Sequence, residues 1–314
     1  MLEVAIMIEG QNGLNWPRWQ RIARTVEDAG FVGLFRSDHY TSPNPPDIDS
    51  LELWVSLTWL ACNTKHIVFG PAVSPVSFRH PTMTVRMAAA VDDLSGGRLV
   101  LGLGAGWQER EHHNYGWELL DVPNRFERFE EGLKIISTLL KHDGPFNFDG
   151  KYYQLNEAVL LPRPQRSGGP PIMIGGKGPK LTLPLVARYA DEWNAVFIAA
   201  KEIVALNVRL DELMLENGRQ PSDVRRSLMT GCVFGRDAAE VERKFTTVGK
   251  LAAGNLLEDW QEHRVIVGEP NAIVDQLGQL EEIGIYRVML QWLDLDDLAG
   301  LEALATTVLP QFST

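Results

Sequence analysis

One stretch of the sequence combines a short strand with a glycine-rich loop: Pro171-Pro-Ile-Met-Ile-Gly-Gly-Lys-Gly-Pro-Lys180. Residues 172–174 are an apolar run bounded by proline and glycine, which is typical of a strand buried on both faces. The apolar spacing over residues 181–189 predicts a helix directly after the loop. The stretch therefore predicts one βα unit of a parallel sheet.

The same loop is a candidate anion site. The amides of residues 176–178 would lie at the N-terminus of the predicted helix, with Lys177 and Lys180 nearby, and helix N-termini attract phosphate groups. The alternative is that glycine serves only the turn, as it does in many strand-to-helix connections. The loop alone does not choose between the two interpretations.

Strand and helix patterns alternate on both sides of this stretch. Short apolar runs that fit buried strands occur at residues 4–8, 32–37, 67–73, 99–103, 172–174, 191–197, 227–234 and 287–290, with amphipathic helical patterns between them. Eight such units predict an α/β fold of the (β/α)8 TIM-barrel type, with residues 1–314 as a single domain. An Asp149-Gly150 turn between alternating residues predicts an added β-hairpin near residues 144–165.

Composition narrows the classes of partner. The formal net charge of −11 argues against nucleic-acid or anionic-membrane surfaces, because both would repel the chain. The first nine residues lack the basic start of a signal peptide, and no apolar run is long enough to span a bilayer, so we expect a cytoplasmic protein. Cys62 and Cys232 have no metal-type spacing and fit buried, reduced thiols. The sequence leaves a homo-oligomer possible.

In a TIM barrel the loops after the strands build the active site. Three acid–base residues lie directly at predicted strand ends: Glu9, Asp38 and His39. Most other strand ends carry small or aromatic residues, such as Ala105 and Trp107. This composition favours a slot for a flat cofactor over a hydrolytic or metal centre.

Two motifs invite other interpretations. Gly102-x-Gly104-x-Gly106 imitates a dinucleotide fingerprint, but no second strand with a terminal acid follows at the spacing that a Rossmann unit needs. Glu109-x-x-His112 has the spacing of a metal-ligand pair, yet the chain contains no second pair of this kind, so we expect no catalytic metal.

A series of segments resembles the bacterial luciferase-like monooxygenases. These segments are Ser37-Asp-His39, Phe78-Arg-His-Pro81, Asp92-Asp-Leu-Ser-Gly-Gly-Arg-Leu99, Gly102-Leu-Gly-Ala-Gly-Trp107, Glu111-His112, Tyr115-Gly116, Phe148-Asp-Gly-Lys-Tyr-Tyr153, Pro162-Arg-Pro164, residues 171–176 and Ala187-Arg-Tyr-Ala-Asp-Glu-Trp-Asn194. They cover nearly the whole chain and look most similar to the branch that depends on the deazaflavin coenzyme F420. The resemblance implies an oxidoreductase that exchanges a hydride with the deazaflavin C5 carbon. It also implies a non-prolyl cis peptide after the third strand, beneath the cofactor ring.

The resemblance also assigns roles around the cofactor. Ala72 and Val73 would support the ring, Ala105 would let it lie close, and the phosphate would bind at Gly175, Gly176, Lys177 and Gly178. The substrate would be a small, moderately apolar organic molecule, because Trp107, Phe197 and Met229 would shape its pocket.

His39 is the expected general base for the substrate hydroxyl, although a purely structural histidine at the rim is the alternative. Glu9 is the second candidate proton carrier. Asp38 would hold the imidazole or contact the ring edge, but neighbouring residues of an extended strand point to opposite faces. Two other functions stay open: a monooxygenase that uses reduced flavin mononucleotide (FMN) and oxygen, and a catalytically silent flavin-binding barrel.

Overall fold

The structure is a computed structural model that describes residues 1–252 and 255–312. Within these residues the chain forms the strands β1 (Glu3–Ile8), β2 (Gly33–Arg36), β3 (Val68–Pro71), β4 (Ser74–Pro75), β5 (Leu101–Gly104), β6 (Phe146–Asp149), β7 (Gln154–Ala158), β8 (Ile172–Gly175), β9 (Glu192–Val196), β10 (Arg225–Phe234), β11 (Ile266–Gly268) and β12 (Arg287–Gln291). The same residues form the α-helices α1 (Trp16–Asp28), α2 (Leu53–Asn63), α3 (Pro81–Ser95), α4 (Glu109–Tyr115), α5 (Val122–Lys141), α6 (Thr182–Tyr189), α7 (Ala200–Glu216), α8 (Ala238–Leu251), α9 (Leu256–Gln261), α10 (Pro270–Glu282) and α11 (Leu298–Val308).

The parallel strands form a barrel. Their order around it is β3, β2, β1, β12, β10, β9, β8 and β5. The circle closes between β3 and β5, where Phe69 N donates to Arg98 O at 3.1 Å and Val100 N donates to Phe69 O at 2.8 Å. The predicted TIM-barrel fold is therefore confirmed, and all eight predicted strands are present.

Two hydrophobic layers follow from the alternation of side chains along each strand. Ala5 and Met7 of β1 point into the barrel, whereas Val4, Ile6 and Ile8 pack outward against the helices. The interior layer consists of Ala5, Met7, Phe35, Val100, Met173, Met229 and Met289. These side chains fill the barrel, so a ligand must bind at its end.

The helices cover the outer layer, and α1 illustrates why they form where they do. Asn15 caps its first turn by accepting a hydrogen bond from Arg18 N at 3.2 Å, and Pro17 occupies an early position where no backbone donor is needed. Trp19 on its inner face is fully buried and donates from Nε1 to Ser56 O at 3.1 Å. This bond ties α1 to α2 on the outside of the barrel. No helix within the described ranges has the length and apolarity required to cross a membrane.

Three strand elements lie outside the eightfold pattern. The short strand β4 pairs in parallel with the end of β5. Strands β6 and β7 form an antiparallel hairpin inside the region predicted for it. Strand β11 was not predicted; it pairs in parallel with Cys232, Val233 and Phe234 at the end of β10. Because β10 is ten residues long, it extends past its neighbours and offers this extra edge.

Candidate active site

A cavity of about 1060 Å³ lies at the end of the barrel where the parallel strands terminate. Residues at the ends of different strands line it, among them Glu9, Ser37, Ala72, Ala105, Gly175 and Gln291. It also extends to the last residue of α8, Leu251, and the first residue of α9, Leu256. The cavity therefore occupies the rim that the sequence predicted for the active site.

Small residues form the floor of the cavity. The peptide between Ala72 and Val73 is cis, as the family resemblance implied, and both residues line the cavity. The Val73 side chain fills the space between β5 and β8: a Cβ added to Gly104 would lie 2.7 Å from Val73 Cγ2, and one added to Gly175 would lie 3.0 Å from Val73 Cγ1. A side chain at either glycine would collide with Val73, so the two glycines let Val73 form part of the cavity floor.

His39 lies at one wall of the cavity and is fixed by a carboxylate from α4. Its Nδ1 is 2.9 Å from Glu111 Oε1, and the other carboxylate oxygen accepts a hydrogen bond from Tyr40 N at 3.1 Å. The Glu111 side chain is 1% exposed, whereas that of His39 is 15% exposed. A carboxylate only accepts hydrogen bonds, so the proton of neutral His39 belongs on Nδ1 and Nε2 keeps its lone pair.

The electrostatic surroundings of His39 raise its pKa. Burial opposes the charged imidazolium, but the hydrogen bond to Glu111 and the negative charges of Glu111, Glu9 and Asp38 outweigh it. The raised pKa means that His39 gains a proton readily while remaining partly open to the cavity. This combination suits a group that exchanges protons with a ligand.

Asp38 does not hold the imidazole, which corrects one of the roles expected for it. Its carboxylate forms an ion pair with Arg79 and accepts a hydrogen bond from Ser74 Oγ at 2.7 Å, and it does not contribute to the cavity lining among the described residues. The reason is the alternation of an extended chain, which sends the side chains of Asp38 and His39 to opposite sides. Glu111 takes the position at the imidazole instead.

Glu9 lines the cavity within a network of side-chain amides. Gln291 Nε2 donates to Glu9 Oε1 at 2.7 Å, and Gln11 Nε2 donates to Glu9 Oε2 at 2.8 Å. Ser37 Oγ donates to Gln11 Oε1 at 2.8 Å and accepts from Gly10 N at 2.9 Å. Both carboxylate oxygens of Glu9 therefore already accept hydrogen bonds, which fix the carboxylate within this network.

The glycine-rich loop differs in part from the prediction. Gly175 and Gly176 line the cavity, and Gly176 has a positive φ of 130°. However, Gly176 N donates to Asn194 O at 3.0 Å, so this amide is not available to an anion. The ladder between β8 and β9 simply continues one residue past Gly175. The neighbouring amides of Lys177 and Gly178 make no hydrogen bond within the described residues.

Lys177 of the same loop does not line the cavity either. Lys177 Nζ donates to Phe197 O at 3.1 Å. Trp193 Nε1 donates to Gly176 O at 2.7 Å and holds the loop from below. Lys177 and Gly178 are therefore placed beside the cavity, not on its wall, and only Gly175 and Gly176 of the four predicted residues face it.

Glu111 is the functional residue that the sequence interpretation missed. Its neighbours Glu109 and His112 were considered instead, yet Glu109 is exposed, and His112 is bound to Gln108 O through Nδ1 at 2.7 Å and to Ser77 Oγ through Nε2 at 2.8 Å. The Glu111-His112 segment was the available signal, because it belongs to the resemblance. Across residues 1–252 and 255–312, no group of three or more His, Cys, Asp or Glu side chains is arranged to hold a metal ion.

The known proteins similar to this chain include both F420-dependent enzymes and monooxygenases. An F420-dependent glucose-6-phosphate dehydrogenase from Microbacterium testaceum is 30% identical over 205 residues, which cover 63% of this chain and 59% of the relative. A 5,10-methylenetetrahydromethanopterin reductase from Archaeoglobus fulgidus is 32% identical over 169 residues, which cover 54% of this chain and 46% of the relative. The chain thus spans about half the length of these curated relatives.

Among solved structures, an F420-dependent secondary alcohol dehydrogenase in complex with an F420–acetone adduct superposes with a TM-score of 0.84 at 19% identity, covering 99% of both chains. At this identity the likeness establishes the shared fold. The sequence model described as luciferase-like monooxygenase matches residues 3–287, nearly the whole chain. This chain belongs to the luciferase-like monooxygenase family.

Proposed function

We propose that this protein is an F420-dependent oxidoreductase that transfers a hydride between the deazaflavin C5 carbon and a small alcohol or ketone. The observation that carries the proposal is the His39–Glu111 pair at the cavity wall, in which the imidazole Nε2 makes no hydrogen bond within the described residues. A carrier of flavin would need no acid–base group there. The F420-dependent relative supports the choice of cofactor.

The residues present fit a flat tricyclic ring. Ala72, Val73 and Ala105 would lie under the ring, and Val73 takes this position because Gly104 and Gly175 beside it have no side chains. The cofactor phosphate would bind beside Gly176, with the amides of Lys177 and Gly178, which make no hydrogen bond to the described part of the chain, as donors. When bound, the deazaflavin supplies the acceptor or donor of the hydride.

The protein itself contributes the group that transfers the proton. Oxidation of an alcohol releases the hydroxyl proton as charge develops on oxygen. The lone pair on His39 Nε2 accepts this proton. Glu111 stabilises the imidazolium that results and keeps the ring from rotating. In the reverse direction the same imidazolium protonates the carbonyl oxygen. Glu9, bound by Gln11 and Gln291, orders the opposite part of the cavity.

The test is isotope transfer. The protein is incubated with coenzyme F420 and a set of alcohols that carry deuterium on the carbinol carbon, and the recovered cofactor is analysed by mass spectrometry and NMR. We expect one deuterium on C5 of the reduced cofactor. If no alcohol labels the cofactor, and reduced FMN instead supports oxygen-dependent product formation, the protein is a monooxygenase and the proposal fails.

A further inference from the structure

Trp107 occupies an unusual place for a tryptophan of this protein. It follows β5 at the mouth of the cavity and is 58% exposed, whereas Trp19 and Trp193 are fully buried. Its ring meets the His39 imidazole edge to face, with centroids 5.5 Å apart and an interplanar angle of 83°. An exposed indole beside the acid–base group offers apolar surface to whatever reacts there.

The rest of the cavity wall also carries apolar residues. They come from the loop after β2, the loop after β9 and the adjacent ends of α8 and α9: Pro43, Pro46, Ile48, Phe197, Leu251 and Leu256. Phe197 adopts a left-handed φ of 45°, and its carbonyl accepts a hydrogen bond from the Lys177 ammonium, so the backbone of this residue is fixed at the edge of the cavity.

Charged groups for a phosphorylated substrate are scarce on this wall. Of the lining residues in the described ranges, only Arg125 and Lys250 are cationic besides His39. Arg125 is committed, because its guanidinium donates to Gly106 O at 2.9 Å and to Leu120 O at 3.0 Å. Lys250 is accompanied by the acidic Asp259 in the same lining. A phosphate or carboxylate buried here would lack the paired cations that offset its desolvation.

We propose that the substrate is an uncharged alcohol or ketone with an apolar ring or chain, and that Trp107 determines this specificity. The apolar substituent packs on the Trp107 indole, and this contact directs the adjacent carbinol or carbonyl oxygen toward His39 Nε2. The inference rests on the proposed hydride transfer for its reaction, but the binding preference can be measured without turnover.

Calorimetric titration with two probes tests the preference: acetophenone as an apolar ketone and glucose 6-phosphate as a charged polar ligand. Both are added to the protein with and without oxidised coenzyme F420. We expect acetophenone to bind and glucose 6-phosphate to give no saturable heat. Stronger binding of glucose 6-phosphate, or no binding of acetophenone in either state, would overturn the proposal.

Substitution of Trp107 tests whether this residue is responsible for acetophenone binding. Trp107→Ala should weaken acetophenone binding by roughly tenfold or more, and Trp107→Phe by no more than about threefold, because phenylalanine keeps an aromatic face. Trp260→Ala is the matched control, since Trp260 is also exposed, at 45%, but is not among the lining residues described for the cavity. Equal effects of Trp107→Ala and Trp260→Ala would refute the role of Trp107.

A measurement on the unmodified protein avoids any folding defect of the variants. The indole N–H resonance of Trp107, identified by its loss in Trp107→Phe, should shift on addition of acetophenone, while that of Trp260 stays in place. A shift at neither indole would contradict the proposal. Failure of isotope transfer together with a shifted Trp107 signal would instead reject the hydride-transfer function and keep the binding site.

Discussion

Glu111→Gln tests the pair on which the proposed chemistry depends. The carboxylate accepts one hydrogen bond from His39 Nδ1 at 2.9 Å and another from Tyr40 N at 3.1 Å. Glutamine keeps the shape but turns one of these two acceptors into a donor. If its amide nitrogen faces the imidazole, His39 Nδ1 must accept, and the proton moves to Nε2, where it blocks the base.

The expected loss of rate follows from the hydrogen bond between His39 and Glu111 that the substitution removes. A hydrogen bond to a charged partner contributes about 1.5–3 kcal/mol, and 1.36 kcal/mol corresponds to a factor of ten in rate. We therefore expect the single-turnover rate of cofactor reduction to fall by roughly 10- to 150-fold in Glu111→Gln. Glu109→Gln is the matched control, because Glu109 lies in the same helix but is exposed, and its effect should stay within about 0.5 kcal/mol.

The pH dependence separates positioning of His39 from general damage. As the base in alcohol oxidation, His39 must be unprotonated, so the rate rises as pH increases through its pKa. Glu111 raises that pKa against the effect of burial, and its loss should move the acid limb to lower pH. A folded variant whose pH profile and rate both match those of the parent would show that Glu111 neither positions His39 nor raises its pKa.

The His39–Glu111 pair should also affect how the free energy of unfolding depends on pH. Because the pKa of His39 is raised in the folded state, its stabilising contribution is complete below the unfolded value near 6.5 and is lost as pH rises through the folded pKa. The parent should therefore exceed Glu111→Gln in free energy of unfolding by more at pH 5 than at pH 8. Urea denaturation at the two pH values measures this difference.

Further outcomes concern the base, the loop, the thiols and metals. His39→Ala should retain cofactor binding while turnover falls about 10²–10⁴-fold; if Glu9→Gln abolishes reduction and His39→Ala does not, Glu9 is the base. Gly176→Val should raise the cofactor dissociation constant by roughly tenfold, about 1.4 kcal/mol, because φ is 130° and a Cβ would lie 3.2 Å from Thr182 Oγ1; an unchanged constant would place the phosphate elsewhere. Burial raises the pKa of Cys232 to about 12, so at pH 8 maleimide should label exposed Cys62 and spare Cys232 until the protein unfolds. Turnover should survive extensive chelation, since the described residues assemble no cluster of metal-binding side chains; loss that zinc or iron restores would contradict this.

The barrel could be predicted because its strands carry a local signal. Runs such as residues 172–174 are apolar throughout and end at proline or glycine, and the rim rule then places Glu9 and His39 at one end of the barrel. These inferences need only the order of elements. The structure agrees with them because barrel strands such as β2, β5 and β12 are buried throughout.

The partners of the rim residues could not be predicted in the same way. Glu111 reaches His39 from α4, across 72 positions of sequence, and only the folded loop between β5 and α4 sets that approach. Whether Gly176 N can bind an anion depends on Asn194 O of the neighbouring strand. One further hydrogen bond between the two strands uses this amide. Both errors concern contacts between distant elements, for which spacing along the chain carries no information.

An equilibrium titration of cofactor-free protein tests whether the cavity selects a deazaflavin. Coenzyme F420 and FMN are titrated separately, and binding is followed by the change in cofactor fluorescence. We expect saturable binding of coenzyme F420, at least roughly tenfold tighter than that of FMN, with the preference retained in His39→Ala. Tighter binding of FMN would show that the cavity does not select the deazaflavin.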